Sequence, residues 1–311
     1  MSDKTAEAVT LAPVCLFAFN RPDHTRRTLD ALAASPLAQE TDLIVYLDGP
    51  RTEEESPLVE KVASIIQVQN GFASVRLNRR DANVGLAESI RSGVTLTMQE
   101  YGRAIVVEDD IVTSQAFLSY MNQALDRYEN EKKVWHIAGY NEPIAANRDM
   151  RGAAFWRLMS CWGWASWADR WQHFERQPQT LINRFRPDDI RRFNLDGVAD
   201  FWSQVVANDS GELRTWAIFW YATIFLNDGL CLSPHLSYCG NIGFDGSGTH
   251  SGPLNTLQAE RLNQDMTPPL PDEVVEDLEA LARLKAYYTR RPTRLERLRR
   301  RCQKLARKFR R

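Results

Sequence analysis

Four short apolar runs, each followed by a polar turn and a helical repeat, constrain the fold of this chain more than any other feature. The runs cover residues 14–19, 43–47, 75–77 and 104–107. Short runs that are apolar throughout are typical of strands buried on both faces of a parallel sheet, because crossover helices cover both faces. The alternation therefore predicts an α/β fold with a Rossmann-like, mostly parallel sheet and flanking helices.

The helices between these runs are predicted from apolar residues that recur every three or four positions. Asp23 is the candidate N-cap of the first helix. A second helix is predicted over residues 59–68, a third after the turn at 83–85, and a fourth from about Ser114.

The composition of the chain changes after the fourth predicted helix. Eight of the nine tryptophans lie between Trp156 and Trp220, which predicts a second lobe built onto the sheet, with most of these rings buried. A proline-rich stretch at 268–271 predicts a stiff linker, and a helical segment follows it.

The last 22 residues are strongly basic. Residues 290–311 hold 12 lysines and arginines and one glutamate, while the whole chain has a net charge of −1. Apolar residues recur there at steps of three and four, at Leu295, Leu298, Cys302, Leu305 and Phe309. This pattern predicts a basic amphipathic tail suited to an anionic membrane surface; docking on the acidic remainder of the chain is the alternative. No nucleic-acid recognition module accompanies the tail, so we expect no nucleic-acid partner.

Cysteine usage and hydropathy indicate the compartment. The five cysteines are odd in number and form no CxxC pair, so we expect reduced thiols rather than a disulfide framework. The N-terminus lacks the pattern of a secretory signal, and the longest apolar run, 216–225, is about half the length of a membrane span. Together these features predict a cytoplasmic protein.

Three acidic residues, Glu108, Asp109 and Asp110, directly follow the fourth apolar run. Ligands of open α/β sheets bind beyond the carboxyl ends of the strands. Adjacent carboxylates repel one another, and Mg²⁺ or Mn²⁺ held by oxygen ligands is a natural countercharge. The alternative is a solvated loop whose acids favour the N-terminus of the next helix.

The order of the motifs resembles that of the GT-A glycosyltransferases. The shared blocks are residues 20–22, 48–49, 83–85, 108–110, 160–167 and 241–250. The pattern is similar to the N-acetylglucosaminyltransferase that initiates hybrid N-glycans and to its bacterial relatives in surface-polysaccharide gene clusters. The resemblance covers about residues 12–255, and the acidic triplet resembles the DXD-like metal motif of that fold.

The resemblance implies transfer of a hexose or N-acetylhexosamine from a UDP- or GDP-linked donor to a glycan or lipid-linked acceptor. Inversion at the anomeric carbon and dependence on Mn²⁺ or Mg²⁺ are implied with it. The transferase domain would cover 10–265, with a nucleotide-sugar half at 10–140 and an acceptor half at 141–265. A linker and helix at 266–289 and the tail at 290–311 would follow. The tail would hold the enzyme peripherally at the inner face of the plasma membrane.

The resemblance implies a role for each of several charged residues. Asp110 resembles the metal-contacting carboxylate, Asp109 the residue that bonds the ribose, and Glu108 the one that faces the donor sugar. Arg21 matches a diphosphate-facing arginine, and Asp48 the acid that reads the base or ribose. A cation is poorly placed at a helix N-terminus, so a phosphate would offset the position of Arg21; a surface arginine is the alternative.

Other positions of the resemblance complete the expected site. Further donor-site candidates are Phe19, Asn20, Asn83, Gly85 and Ser89, and candidates that stack on sugars are Trp162, Trp164 and Trp216. Ser89 stands where the animal enzyme has a base-stacking histidine. His250, at the end of the glycine-rich loop, is a candidate second metal ligand or phosphate partner; a structural or solvated histidine is the alternative.

One departure concerns the catalytic base that an inverting enzyme needs to deprotonate its acceptor. Relatives carry a carboxylate in a Trp-Asp-Ile-x-Trp stretch, but residues 216–220 read Trp-Ala-Ile-Phe-Trp, and Ala217 cannot accept a proton. Asp245 is the favoured substitute because it lies in a glycine-rich loop of the kind that closes over donors; a structural turn residue is the alternative. The further candidates are Glu212, Asp228 and Asp200.

Two other functions stay open at this point. Ala217 favours a non-catalytic relative that binds a nucleotide sugar or a glycan. A sugar nucleotidyltransferase also combines a parallel sheet with acidic metal ligands. It would need a basic glycine-rich loop after the first strand, and residues 19–22 lack the glycines.

Overall fold

The structure, a computed structural model, describes residues 11–144, 152–245 and 261–289. The candidate His250 and the basic segment 290–311 lie outside the described residues, so the predictions made for them stay predictions.

Strands of the described residues form one eight-stranded sheet, ordered β3-β2-β1-β4-β8-β6-β9-β7, and a two-stranded sheet of β5 and β10. The strands are β1 (Val14–Ala18), β2 (Asp42–Leu47), β3 (Ser74–Arg79), β4 (Arg103–Glu108), β5 (Ile111–Thr113), β6 (Val134–Ala138), β7 (Ala153–Trp156), β8 (Trp164–Trp167), β9 (Leu230–Pro234) and β10 (Cys239–Asn241). The helices are α1 (Pro22–Ala33), α2 (Ser56–Gln67), α3 (Leu86–Tyr101), α4 (Phe117–Tyr128), α5 (Ala168–Trp171), α6 (Pro178–Arg184), α7 (Pro187–Phe193), α8 (Trp202–Asp209), α9 (Ala217–Leu226) and α10 (Leu278–Thr289).

The first half of the chain confirms the predicted alternation. All four apolar runs form strands, and β3, β2, β1 and β4 lie side by side in parallel. β1 is buried along its whole length, as a strand covered by helices on both faces must be.

The helix boundaries differ from the predictions by a few residues. Asp23 is not the N-cap of α1: Pro22 opens the helix, Arg21 holds the cap position without a side-chain cap bond, and Asp23 lies in the first turn. Proline suits the first helical position because its missing N–H would have had no partner there. α4 begins at Phe117, three residues after the predicted start.

The second half of the chain extends the same sheet. β8 pairs antiparallel with both β4 and β6, β6 pairs parallel with β9, and β9 pairs antiparallel with β7. Four strands of this half therefore join the main sheet, whereas β10 pairs with β5 and the helices α6 to α9 lie outside both sheets. An aromatic core that includes Phe193, Phe219 and Phe225 packs α7 and α9 together.

Most of the tryptophans are buried in the core, as expected from the sequence. Trp164 stacks on Trp216 at a centroid distance of 5.5 Å, and Trp171 and Trp220 complete the cluster. All four rings are buried, whereas Trp162 is only partly buried.

The proline-rich segment 268–271 lies against α4 rather than standing free. The Pro271 carbonyl accepts a hydrogen bond from the Tyr128 hydroxyl at 2.6 Å, and Leu270 packs on the main core. The helix predicted after it is confirmed as α10, which buries Ala280 and Leu281. Within the described ranges, no helix combines the length and the apolar character needed to cross a bilayer.

A buried histidine in this core makes stability dependent on pH. His136 accepts a hydrogen bond at Nδ1 from the Trp220 indole (3.2 Å), and its Nε2 lies 2.9 Å from the Ser160 carbonyl oxygen, to which it can donate only as the Nε2–H tautomer. Burial lowers the pKa of His136 to about 3. The ring is therefore neutral in the folded protein, while in the unfolded chain it has a pKa of about 6.5.

The contribution of His136 is present above pH 6.5 and is lost as the pH falls toward 3, because the unfolded chain then binds a proton that the folded chain does not. We expect its share of the loss in unfolding free energy between pH 7 and pH 5 to be about 2 kcal/mol. Urea unfolding at both pH values, compared between wild type, His136→Gln and the exposed control His173→Gln, measures it. Equal pH slopes for wild type and His136→Gln would contradict the prediction.

Candidate functional site at the carboxyl ends of β1 and β4

The acidic triplet and the residues that follow β1 meet at one edge of the sheet. Phe17 of β1 pairs in parallel register with Glu108 of β4, so both strands end there. Arg21 extends from the start of α1 and forms ion pairs with Asp109 and with Asp110, the second at 3.0 Å. The structure thus joins two groups that lie 88 residues apart in the chain.

Asp109 is held from two further sides. The backbone N–H of Phe19 donates to its Oδ2 at 3.3 Å, and the Thr28 hydroxyl of α1 donates to its carbonyl oxygen at 2.9 Å. These bonds lock the loop after β4 against the loop after β1.

Asp110 is held by the strand pair β5–β10. Ile242 donates its backbone N–H to the Asp110 carbonyl at 2.9 Å, and the Asn241 amide lies 3.4 Å from Asp110 Oδ1. Asn241 in turn accepts the Gly243 N–H at 2.7 Å. The segment after β10 is therefore built onto the last acid of the triplet.

Gly243 lies so close to the acids that no side chain fits. A Cβ built at Gly243 would lie 2.2 Å from Asp110 Oδ2 and 3.1 Å from the Arg21 guanidinium. The short turn Gly243–Asp245, called the covering turn below, lies against Asp110 and Arg21 through Gly243.

Asp245, the last residue of the same turn, contacts helix α1. Its Oδ2 lies 3.2 Å from Nε2 of His24, which stands one helical turn after Arg21 on α1. Half of the Asp245 side chain is exposed. The sequence analysis assigned no role to His24; its spacing of three residues from Arg21 is the signal that places both on one face of the helix start.

The site carries more negative than positive charge. Burial, followed by the charges of Asp110 and Asp109, raises the pKa of Glu108 to about 8, although a hydrogen bond from Trp216 opposes the shift. Burial also raises the pKa of Asp109, against the opposing effect of Arg21. Burial alone would lower the pKa of Arg21, but the charges of the two aspartates raise it above its ordinary value.

A divalent cation would suit this excess of negative charge only if the protein and the substrate coordinate it together. In the parts of the chain that the structure describes, no group of three or more histidine, cysteine, aspartate or glutamate side chains is arranged to hold a metal. Mg²⁺ in proteins is commonly held by one or two carboxylates while substrate phosphates and water complete its shell. The residues present suit that arrangement, with Asp110 as the carboxylate.

Asp48, which follows β2, holds the backbone of the turn before α3 next to this site. One carboxylate oxygen accepts the N–H groups of Gly49 and Val84, both at 3.0 Å, and the other accepts that of Gly85 at 2.9 Å. The Asn83 amide donates to the Gly49 carbonyl at 2.9 Å. Asp48 and Asn83 thus tie the turn before α3 to the sheet, and Gly85 takes a positive φ of 80° at the helix start.

Three other donor-site candidates lie on the same edge. Asn20 donates to Glu55 at 3.1 Å, and the Arg51 guanidinium lies 5.1 Å from the ring centroid of Phe19. Ser89 is buried in the first turn of α3, and its hydroxyl has no hydrogen-bond partner among the described residues. A buried polar group without a partner is costly and suits a position where a ligand binds.

A cavity of about 260 Å³ lies near the acidic residues 108–110, since Cys161 lines it and the charges of Glu108 and Asp110 act on the Cys161 thiol. Its volume is near the lower end of the roughly 300–1,000 Å³ of typical ligand pockets and is on the scale of one sugar ring. Of the three candidate tryptophans, Trp162 lines the cavity, whereas Trp164 and Trp216 are buried in the core beside it. Trp162 also contacts Phe244 of the covering turn, at a centroid distance of 5.5 Å.

The other carboxylates proposed as bases are not brought to this cavity. Asp228 lies beyond the far end of α9, 3.4 Å from Arg192, and a ten-residue helix is about 15 Å long. Asp200 accepts the Ser203 N–H at 3.3 Å at the start of α8. Glu212 is exposed in the turn between α8 and α9.

Searches among known proteins give only distant structural likenesses. No protein-family model matches the chain, and no curated protein matches it. The chain is similar to S. aureus TarS 1–349, with 10% identity over 73% of this chain and 59% of that one, at a TM-score of 0.39. Mannosyltransferase PcManGT from Pyrobaculum calidifontis, solved with GDP-Man and Mn²⁺, shares 12% identity over 72% of each chain at a TM-score of 0.38. Galactosyltransferase LgtC, solved with donor and acceptor sugar analogs, shares 10% identity over 68% of this chain and 70% of that one at a TM-score of 0.34.

Proposed function

We propose that this chain is a glycosyltransferase of the GT-A type that moves a hexose or N-acetylhexosamine from a UDP- or GDP-linked donor to a glycan or lipid-linked acceptor, in the synthesis of bacterial surface polysaccharide. The observation that carries the proposal is the position of Arg21 between Asp109 and Asp110. It places a cation and an excess of carboxylates at the carboxyl ends of β1 and β4. This arrangement suits a diphosphate that brings its own divalent cation.

The residues on this edge divide the work of holding the donor. Asp110 would hold Mn²⁺ or Mg²⁺ together with the diphosphate, and the bound metal would act as a Lewis acid that stabilises charge on the leaving phosphate. Once a cation neutralises Asp110, the Arg21 nitrogen that now pairs with Asp110 would turn to the diphosphate as the anomeric bond breaks, while the other nitrogen keeps its pair with Asp109. Asp109 would face the ribose and Glu108 the donor sugar, and Ser89 would contribute to the base site.

The turn Gly243–Asp245 is proposed to close over the donor. It rests on Asp110 through Gly243 and on α1 through the contact between Asp245 and His24. Both contacts lie beside the proposed position of the diphosphate. Closure of the turn would therefore exclude water from the charged groups around the diphosphate.

The experiment that tests the donor site is a thermal-shift panel of UDP, GDP and their sugars, with and without Mn²⁺. Because the chain supplies an incomplete metal shell, we expect little stabilisation by Mn²⁺ alone and marked stabilisation by Mn²⁺ with the matching nucleotide. A nucleotide at 100 times its Kd stabilises by about 2.7 kcal/mol. Asp110→Asn should abolish the metal-dependent part.

The matched control is Asp30→Asn, an exposed carboxylate on α1, which should respond like the wild type. Stabilisation by no nucleotide, or an equal response of Asp110→Asn, would contradict the proposed donor site. Nucleotide binding without any transfer to sugars or water would favour the alternative of a non-catalytic binding protein.

The membrane part of the proposal rests on the sequence. Residues 290–311 are proposed to bind an anionic membrane at the inner face of the plasma membrane, where a lipid-linked acceptor would be carried. The kinship with N-acetylglucosaminyltransferases and their bacterial relatives likewise stays a prediction.

A further inference from the structure

The end of β6 reaches the same edge of the sheet as the ends of β1 and β4. Both β4 and β6 pair antiparallel with β8, so they run in the same direction. The residues that follow β6, up to Glu142, therefore lie at the carboxyl edge where ligands of such sheets bind.

Glu142 contributes a carboxylate to the cavity beside the acidic edge. Among the described residues it is the one charged side chain in the cavity lining. Its Oε1 accepts a hydrogen bond from the Tyr288 hydroxyl at 3.1 Å, while Oε2 is buried and has no hydrogen-bond partner in the described ranges. Burial raises the pKa of Glu142, although hydrogen bonds from tyrosines oppose the shift.

Two chain connections join this cavity to the donor edge. Trp216 hydrogen-bonds to Glu108, and the next residue, Ala217, lines the cavity. Cys161 also lines the cavity, and the negative charges of Glu108, Asp110 and Glu142 all add to the burial that raises its pKa. An acceptor in the cavity would therefore lie beside the donor sugar.

Ala217 and Glu142 belong to one cavity. The resemblance described above implies a base at position 217, where this chain has alanine. The structure places Glu142 in the same enclosed space of about 260 Å³, so a carboxylate is supplied by another segment of the fold.

We propose that Glu142 is the general base that deprotonates the acceptor hydroxyl, an inference that rests on the proposed transferase function. The acceptor oxygen forms a bond to the anomeric carbon as the bond from that carbon to the diphosphate oxygen breaks. The electron pair of the broken bond leaves with the nucleoside diphosphate, and the hydroxyl proton passes to Glu142 Oε2.

A purely structural role fits Glu142 poorly. No lysine or arginine among the described residues lines the cavity to compensate the carboxylate. Burying an unpaired charge destabilises a fold, and a neutral residue of the same shape is then neutral or stabilising. Hydrogen bonds from Tyr288, Tyr287 and Tyr140 hold the side chain in place without supplying a countercharge, so this carboxylate can accept a proton from a hydroxyl bound in the cavity.

The test is Glu142→Gln, which keeps the size of the side chain and the acceptor for Tyr288. We measure nucleoside diphosphate release from UDP-glucose, UDP-N-acetylglucosamine and GDP-mannose, with water or methyl glycosides as acceptors. Loss of a general base should lower kcat by about 10²- to 10⁴-fold. The Kd for the nucleoside diphosphate should stay within about twofold of wild type, and Tm should be equal or higher. The same exchange at an exposed position, Glu129→Gln, should leave kcat, Kd and Tm unchanged.

A second variant separates a base from a positioning residue. The double variant Glu142→Gln/Ala217→Asp should have a kcat at least tenfold higher than Glu142→Gln alone, because it returns a carboxylate to the same cavity. Asp245→Asn should lower donor binding and transfer together, as expected of a residue of the covering turn.

The outcomes distinguish the two proposals. A wild type that binds nucleotide and releases none from any of the three sugars would overturn the transferase and the base together. A wild type that turns over while Glu142→Gln keeps its kcat would overturn the role of Glu142 alone. A kcat that falls only for Asp245→Asn, with Kd unchanged, would assign the base to Asp245 instead.

Discussion

Arg21→Gln is expected to lower the free energy of unfolding by about 3–5 kcal/mol and to remove metal-dependent nucleotide binding. Arg21 is mostly buried and is paired with both Asp109 and Asp110. Removing it leaves the two aspartates without the cation that now compensates them. Urea unfolding at pH 7 measures the first effect, and the thermal-shift panel measures the second.

The stability loss should be partly reversed by Mn²⁺, since a divalent cation can replace the missing positive charge. We expect Mn²⁺ without nucleotide to stabilise Arg21→Gln more than it stabilises the wild type. The matched control is Arg76→Gln, which breaks an exposed ion pair with Glu100 and should cost no more than about 1 kcal/mol. Equal stability of the Arg21 and Arg76 variants would show that the acidic edge needs no countercharge.

Gly243→Ala is expected to lower transfer and metal-dependent nucleotide binding by about a hundredfold. The added Cβ would lie 2.2 Å from Asp110 Oδ2, so either the carboxylate or the covering turn must move. Displacements of about 1 Å in a site that positions reacting groups cost this much. The cost in unfolding free energy should be smaller, about 1–3 kcal/mol, as for other overpacked positions.

The control for this substitution lies three residues earlier in β10. Among the residues that the structure describes, a Cβ at Gly240 would meet only Leu262, at 3.9 Å, which is ordinary contact. Gly240→Ala should therefore bind nucleotide and turn over like the wild type. Similar kinetics for the two alanine variants would show that the contact between Gly243 and Asp110 does not affect donor binding or transfer.

The donor edge could be anticipated well because its signals are local. Each apolar run predicted a strand, and the polar residues after it had to lie at a strand end. Parallel strands bring their carboxyl ends to one edge, which is where Arg21 and the acidic triplet meet. The N-cap of α1 was predicted wrongly because Asp23 competes with Pro22, which is better suited to open a helix.

The acceptor side could not be anticipated in the same way. Glu142 follows a short strand whose neighbour in the sheet, β8, comes later in the chain, and the β8 pairings decide on which edge Glu142 lies. Asp228 and Glu212 were candidates on residue type alone, and the direction of α9 separates Asp228 from the site.

The sequence by itself determined the α/β class, the positions of the first four strands, and the group of charged residues at their ends. Local periodicity suffices for this, since it reports which residues are buried and with what spacing. Only the tertiary structure decided that β6 ends beside β4, that Gly243 closes on Asp110, and that Glu142 shares a cavity with Ala217. These relations depend on pairing between segments up to 133 residues apart, which is set by packing of the whole sheet rather than by any local pattern.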